Sequence, residues 1–127
     1  MNQQQLWIEP VGGVIIARIR GIWTEELLRE CHDRVLTLVK ETQQARVLYD
    51  ALEMEEPNID LVMLQGKLEL EAAKWLESLP SRKAILVPNT RIAYLARIAF
   101  GHFGEGTYRV FYNDLAQAII WLEDNGS

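Results

Sequence analysis

The chain has 127 residues, of which 49% are hydrophobic and 24% charged, and this composition predicts one packed domain rather than a disordered chain. Its net charge of −5 and its scattered lysines disfavour binding to nucleic acid or to an anionic membrane surface, since both need clustered cations. A single cysteine, Cys31, excludes an intrachain disulfide.

The expected cellular compartment follows from the cysteine count and the first residues. One cysteine fits a reducing environment, and the opening MNQQQLWIEP lacks the basic stretch and apolar run of a signal peptide. No apolar stretch approaches the roughly 20 residues that cross a bilayer. We therefore expect a cytoplasmic protein without a membrane span.

Hydrophobic periodicity and turn residues predict elements in the order β-β-α-β-α-β-α-β-α. Strands Leu6–Glu9 and Val14–Arg20 flank a Pro-Val-Gly-Gly turn and should form an antiparallel hairpin. The later elements are helix Thr24–Glu41, strand Arg46–Asp50, acidic loop Ala51–Pro57, helix Asn58–Ser78, strand Lys83–Val87, helix Arg91–Phe103 ended by Gly104 and Gly106, strand Thr107–Phe111, and a helix from Asn113 or Asp114 to Leu122. Alternating strands and helices predict an α/β fold, with one mixed, mostly parallel five-stranded sheet in a single domain over residues 1–127.

The second predicted helix carries two apolar stripes. The inner stripe, which should face the sheet, comprises Leu61, Leu64, Leu68, Ala72, Trp75, Leu76 and Leu79. The outer stripe comprises Ile59, Met63, Gly66, Leu70 and Ala73. A helix on a sheet normally has polar residues on its outer side, and Gly66 would let another surface approach closely. The outer stripe is therefore either an interface, with a second copy or a protein partner, or scattered exposed apolar surface.

The third predicted helix is apolar nearly all round, with few polar residues beyond Arg91 and Arg97. Such a helix is expected to be covered on more than one side. We predict a pocket between this helix and the sheet, lined by Tyr94, Ile98 and Phe103. Its polar edge would be formed by Arg97 and His102, and its ligand would be a lipophilic small molecule.

The sequence contains no recognisable catalytic, metal or cofactor motif. Cys31 lies on the apolar stripe of the first helix and is expected to be a buried hydrophobe, and His32 points about 100° away from it. The glycine-rich segment 101–106 closes a helix, whereas a phosphate-binding loop opens one. We therefore predict no catalytic residue and no cofactor.

A rim of carboxylates after the third strand is the remaining candidate for metal binding. It comprises Asp50, Glu53, Glu55, Glu56 and Asp60. Carboxylate oxygens suit Mg²⁺ and Ca²⁺, but this spacing matches no calcium loop. The rim is better interpreted as a solvated surface loop, and we predict no metal site.

Four segments carry a family resemblance. They are Arg20-Gly21 before Thr24, Val47–Asp50 with its acidic loop, Ala84–Val87 before a helix, and Tyr108–Phe111 leading to Ala118–Leu122. In these segments the chain, from Trp7 to Glu123, resembles the SpoIIAA-like proteins of the STAS superfamily, which share the fold of anti-sigma-factor antagonists. The resemblance implies a bacterial, non-enzymatic domain, and some members bind partner proteins through the second helix. The fold is also similar to that of lipid-carrier domains, which implies an apolar ligand.

One departure from the family bears on regulation. Members that act as phosphorylation switches carry Ser or Thr at the start of the second helix. The matching positions here are Asn58, Ile59 and Asp60, and the span 43–77 contains no Ser or Thr. We therefore expect no phosphorylation switch at this position.

The predicted function is a non-enzymatic module that associates with itself or with a protein partner through the second and third helices. The alternative is a carrier or sensor of a lipophilic small molecule held between those helices and the sheet. A second alternative is an enzyme that uses the acidic rim.

Overall fold

The structure is a computed structural model that describes residues 5–75, 81–101, 103 and 106–124. Its strands are β1 (Leu6–Val11), β2 (Val14–Gly21), β3 (Arg46–Met54), β4 (Arg82–Val87) and β5 (Tyr108–Tyr112). Its helices are α1 (Glu25–Thr42), α2 (Ile59–Trp75), α3 (Thr90–Phe100) and α4 (Leu115–Glu123). The predicted element order and the α/β class are confirmed.

The five strands form one sheet in the order β1-β2-β3-β4-β5. β1 and β2 pair antiparallel, and every later neighbouring pair is parallel. Because the parallel strands are added in one direction, crossovers of the same hand place α1, α2 and α3 on one face of the sheet. α4 follows the last strand and packs against β3, β4 and β5 on the opposite face.

The core is therefore divided by the sheet into two unequal parts. Strand β4 contributes to both, with Ile85 and Val87 directed towards the three-helix layer and Ala84 and Leu86 towards α4. All four side chains are buried. This double coverage explains the uninterrupted apolar run, as the sequence predicted for a central parallel strand. Within the described residues, no helix is both long enough and apolar enough to cross a membrane.

Each helix begins at a residue whose side chain caps it. In every case a side-chain oxygen accepts a hydrogen bond from the backbone N–H three residues later, at 2.9–3.2 Å. The capping residues are Thr24, Asn58, Asn89 and Asp114. The predicted helix starts are thereby confirmed.

Three predicted boundaries are wrong by two residues or more. Strand β1 continues past Glu9 to Val11, because Pro10 and Val11 of the predicted turn pair with β2. Strand β3 continues four residues past Asp50, to Met54, because its end pairs with the end of β2 in the register Arg20 to Glu53. The first part of the predicted acidic loop is therefore strand. Helix α3 ends at Phe100, three residues before the predicted Phe103, and Gly101 is its C-cap. Gly106 lies in a turn beyond the helix, whereas Gly104 and the predicted end of α2 at Ser78 lie outside the described residues.

Gly66 allows α2 to approach α3 closely. A Cβ atom added at Gly66 would lie 3.0 Å from the backbone oxygen of Ala99 in α3, which is tighter than an ordinary van der Waals contact. The close surface that Gly66 was predicted to admit is therefore a helix of the same chain. A side chain at this position has to push the two helices apart.

We expect Gly66→Leu to lower the free energy of unfolding by about 1–3 kcal/mol, the usual cost of overpacking, despite a gain of about 1 kcal/mol in helix propensity. Ala116→Leu adds the same branched side chain at an exposed position of α4 and should change stability by less than about 0.5 kcal/mol. Urea denaturation of both variants and the wild type measures the difference. Equal stability of the two variants would contradict the close contact between α2 and α3.

Candidate functional site

The outer side of α2 carries three exposed apolar side chains, Ile59, Met63 and Leu70, which we call the α2 ridge. Their exposed fractions are 51%, 58% and 39%. The other two residues of the predicted outer stripe are placed differently. Gly66 is buried against α3, and Ala73 is half-buried beside a cavity described below. Gly66 is therefore removed from the predicted interface, because its own chain covers it.

The central position of α2 in the helical layer explains its broad apolar arc. α2 contacts both α1 and α3, so its two flanks are covered as well as its sheet side. The predicted inner stripe is confirmed at Leu61 and Ala72, which are buried, and Leu64 and Leu68 pack against the core. The stripe is wrong at Trp75, which is 76% exposed and lies under the Lys40 ammonium. Its last members, Leu76 and Leu79, lie outside the described residues.

The residues predicted to line a pocket beside α3 are not brought together around one space. Tyr94 is 59% exposed, since it lies three residues from both Arg91 and Arg97 and shares their outer side of the helix. Arg97 is exposed and donates a 3.4 Å hydrogen bond to the Tyr112 hydroxyl. Ile98 is half-buried against the core, and Phe103 lines a different cavity. His102, the other predicted edge residue, is outside the described residues.

The space between α2, α3 and the sheet is small. It has a volume of about 50 Å³ and is walled by apolar side chains, among them Leu61, Leu95 and Phe100. A dry cavity that holds benzene has a volume of about 150 Å³. A lipophilic ligand therefore has no room at the predicted place unless the helices separate.

A larger cavity lies between α1, α2 and the sheet. Its volume is about 260 Å³. Apolar side chains form most of its wall, including Val35 and Val39 from α1, Val47 from β3, and Ala72 from α2. The polar residues that line it are His32, Tyr49, Glu69, Ser81, Lys83 and Thr107. This cavity was not predicted from the sequence.

Three of those polar residues form a network in the interior. The Tyr49 hydroxyl donates a 3.2 Å hydrogen bond to Oε1 of Glu69, and Nζ of Lys83 lies 3.6 Å from Oε2 of the same carboxylate. Glu69 is only 4% exposed, and the Lys83 side chain is 16% exposed. Burial and the adjacent Glu69 carboxylate raise the pKa of the Tyr49 hydroxyl well above its ordinary value. The hydroxyl therefore stays protonated and remains a donor.

The acidic rim does not form one cluster. Asp50 is buried and pairs with Arg18 at 3.0 Å, while Glu53 pairs with Arg20 at 2.8 Å. Glu56 pairs with Arg91 at 3.2 Å, and Glu55 and Asp60 are exposed. Asp50 and Glu53 lie three residues apart on β3, and Asp50, Glu53 and Glu56 each pair with a different arginine. In the described part of the chain, no three His, Cys, Asp or Glu side chains are close enough together to hold a metal ion.

Cys31 is buried on α1, as the sequence predicted. Burial is the main cause that raises the pKa of its thiol to about 12, with a further contribution from the negative charge of Glu69. A nucleophilic cysteine needs the thiolate form, which is negligible here at neutral pH. The environment of Cys31 therefore suits a packing role.

Comparisons with known proteins agree with the fold. A family model described as SpoIIAA-like matches residues 14–123. The anti-sigma factor antagonist SpoIIAA in its unphosphorylated form superposes with a TM-score of 0.62 at 13% identity, over 91% of this chain and 96% of that chain. An uncharacterised DUF3478-family protein with a SpoIIAA-like fold from Shewanella loihica PV-4 superposes with a TM-score of 0.60 at 17% identity, over 96% and 98%. A search of curated protein sequences gave no match.

Proposed function

Since the chain belongs to the SpoIIAA-like family, we propose that it is a non-enzymatic interaction module that binds another protein surface, a second copy or a partner, through the outer sides of α2 and α3. The observation that carries this proposal is the α2 ridge, whose three apolar side chains remain exposed along one helix after the chain has folded. Large apolar groups aligned on one surface are typical of contact sites, whereas isolated ones are common everywhere.

Tyr94 extends the α2 ridge onto α3. Both helices return from the carboxyl ends of neighbouring parallel strands, so they run in the same direction. Gly66 of α2 lies against Ala99 of α3. Leu61 precedes Gly66 by five residues, and Tyr94 precedes Ala99 by five residues. Tyr94 is therefore level with the first turns of α2, on the neighbouring helix. Aromatic residues that remain exposed are favoured at contact surfaces because they supply a large apolar area and a polar hydroxyl.

Charged side chains of both signs border the α2 ridge. Asp60, Lys67 and Glu71 are exposed on the same helix. An apolar centre with a charged rim is the usual composition of a protein contact. If each partner loses a few hundred Å² of apolar surface, about 25 cal/mol per Å² gives several kcal/mol, much of which association entropy offsets. We therefore expect a contact of about micromolar affinity.

The double variant Met63→Lys with Leu70→Lys should weaken this contact at least about tenfold, because two charges enter its apolar centre. Sedimentation velocity at several concentrations measures self-association, and a pull-down from the native cell measures binding to a partner. Neither residue belongs to the buried core, so the fold should survive. The matched control is Leu115→Lys with Ile120→Lys, which adds two lysines at exposed apolar positions of α4 on the other side of the sheet.

The α4 control variant should behave like the wild type in both experiments. The proposal is wrong if the wild type neither self-associates nor captures a partner, or if the two lysine variants lose binding equally. An equal loss would mean that added positive charge, rather than the α2 ridge, determines the result.

The role described for SpoIIAA supports a protein partner, whereas the residue at the start of α2 in this chain argues against a phosphorylation switch. SpoIIAA is described as an anti-sigma factor antagonist. In the present chain the residue that caps the start of α2 is Asn58, whose side-chain oxygen accepts a hydrogen bond from the N–H of Leu61. An amide cannot form a phosphoester, so any regulation of the α2 surface has to act through another residue or through a ligand.

A second candidate function is that of a carrier or sensor of a small apolar molecule. The cavity of about 260 Å³ between α1, α2 and the sheet favours it. The site differs from the predicted one, which was on the α3 side of α2. Enzymatic use of the acidic rim has less support, because Asp50, Glu53 and Glu56 each pair with a different arginine.

A further inference from the structure

The size of the cavity between α1, α2 and the sheet sets the size of what it can hold. Its volume of about 260 Å³ exceeds the roughly 150 Å³ that accommodates benzene. A molecule of about nine or ten non-hydrogen atoms, such as a ring with a two-carbon arm, would fill it. A membrane lipid with full-length acyl chains would not fit.

The cavity has an apolar body and one polar end. Val35, Val39, Val47 and Ala72 supply aliphatic walls from three different elements, which would surround an apolar ring or short chain. The polar end contains the charged pair Glu69 and Lys83, and the other polar residues that line the cavity are His32, Tyr49, Ser81 and Thr107. Pockets that combine apolar walls with a few placed polar groups are typical of small-molecule sites.

Glu69 and Lys83 place an acceptor and a donor close enough together for one ligand group beside them to contact both. The 3.6 Å between Oε2 and Nζ is too long for a hydrogen bond, so acceptor and donor stand side by side. An ammonium has three donors, and one of them is directed to the Ser81 hydroxyl at 3.2 Å. A ligand hydroxyl could accept from Lys83 and donate to Glu69 at the same time. A primary amide offers the same combination of donor and acceptor.

The charges at the polar end decide the charge of the ligand. Glu69 and Lys83 carry opposite charges that cancel within the cavity. An anionic or cationic ligand would add a buried charge without a partner, and such a charge is strongly disfavoured. We infer that this cavity binds a small uncharged molecule with an apolar body and one hydroxyl or amide group. The inference deepens the second candidate function and does not depend on the α2 ridge.

Three matched probes test the inference: 2-phenylethanol, phenylacetate and 2-phenylethylamine, which share a ring and a two-carbon arm and differ in charge. Titration of ¹⁵N-labelled protein should move the amide signals of Val47, Ala72 and Lys83. A neutral probe of this size should bind with a dissociation constant of about 0.1–1 mM. The charged probes should bind at least about tenfold more weakly, since each adds an unpaired buried charge.

Two variants make the result specific to the cavity. Glu69→Gln leaves the Lys83 charge uncompensated, so phenylacetate should then bind at least as tightly as 2-phenylethanol. Ala73→Phe places a ring at the half-buried cavity wall and should weaken all binding at least about tenfold by filling the space. If Glu69→Gln does not fold, as circular dichroism would reveal, Ala73→Phe still decides the question.

The inference is overturned if no probe shifts those amide signals at several millimolar, if the three probes bind equally well, or if Ala73→Phe binds like the wild type. The variant Met63→Lys with Leu70→Lys should bind 2-phenylethanol normally, because the α2 ridge lies outside the cavity. This comparison separates failure of the cavity from failure of the proposed interaction surface.

Discussion

Replacement of Lys83 by methionine should lower the free energy of unfolding by about 2–4 kcal/mol, because it leaves the buried Glu69 carboxylate without its cationic neighbour. Removal of one member of a fully buried ion pair usually costs about 3–5 kcal/mol, and the 16% exposure of the Lys83 side chain reduces that cost. The same substitution at the exposed Lys67 should change stability by less than about 0.5 kcal/mol. Urea denaturation at pH 7 compares the two variants.

The double variant Glu69→Gln with Lys83→Met tests the origin of the loss. It removes both charges, and the amide oxygen can still accept from the Tyr49 hydroxyl, so we expect at least half of the lost stability to return. Replacement of both members of a buried pair is often close to neutral. The network would have no such role if Lys83→Met were as stable as Lys67→Met, or if the double variant were less stable than Lys83→Met alone.

Local sequence signals were sufficient for most of the fold. The helix starts could be predicted because a cap such as Asn89 acts on the N–H three residues away, within one short segment. The central strand β4 could be predicted because burial on both faces imposes a continuous apolar run. Both signals are complete within a few residues, so neither depends on knowledge of the partner elements.

Boundaries that depend on a distant partner could not be predicted in this way. The segment 51–54 looks like an acidic loop, but the end of β2 extends the ladder and makes it strand. The surface that covers each apolar stripe of α2 was similarly ambiguous. Two apolar stripes indicate two covered sides, and only the order of the helices identifies α3 as the surface that Gly66 admits.

The cavity and its ion pair were not predicted, for a different reason. Apolar periodicity locates the buried side of a helix from its hydrophobic residues, so a buried charge is counted as exposed. Glu69 nevertheless lies seven residues after Val62 and three before Ala72, both buried, which is the spacing of one helical side. Lys83 immediately precedes the buried run of β4, and alternation places it on the same sheet face as Ile85. Together these two positions indicate a buried charged pair between α2 and β4.

Stability should fall steeply above pH 9. Burial first, and then the charge of Glu69, raise the pKa of the Cys31 thiol from 9.0 to about 12. The same two causes raise the pKa of the Tyr49 hydroxyl well above 10.0. Between pH 9 and 12 the folded chain keeps the thiol proton that the unfolded chain has lost. The unfolded state then binds fewer protons, so the contribution is complete below pH 9 and is lost as pH rises, by about 1.4 kcal/mol per unit.

From pH 9 to 11 the thiol alone should therefore remove about 2–3 kcal/mol, and Tyr49 should add to the loss above pH 10. Urea denaturation at half-unit steps from pH 8 to 11 measures the fall. The Cys31→Ala variant is the control: it has a small packing loss at every pH but lacks the thiol, so its stability should decline later. Over this range the unfolding free energy of the wild type should fall by about 2–3 kcal/mol more than that of Cys31→Ala. Parallel curves would mean that the thiol ionises in the folded protein as it does in water, and that Cys31 is not held in the interior beside Glu69.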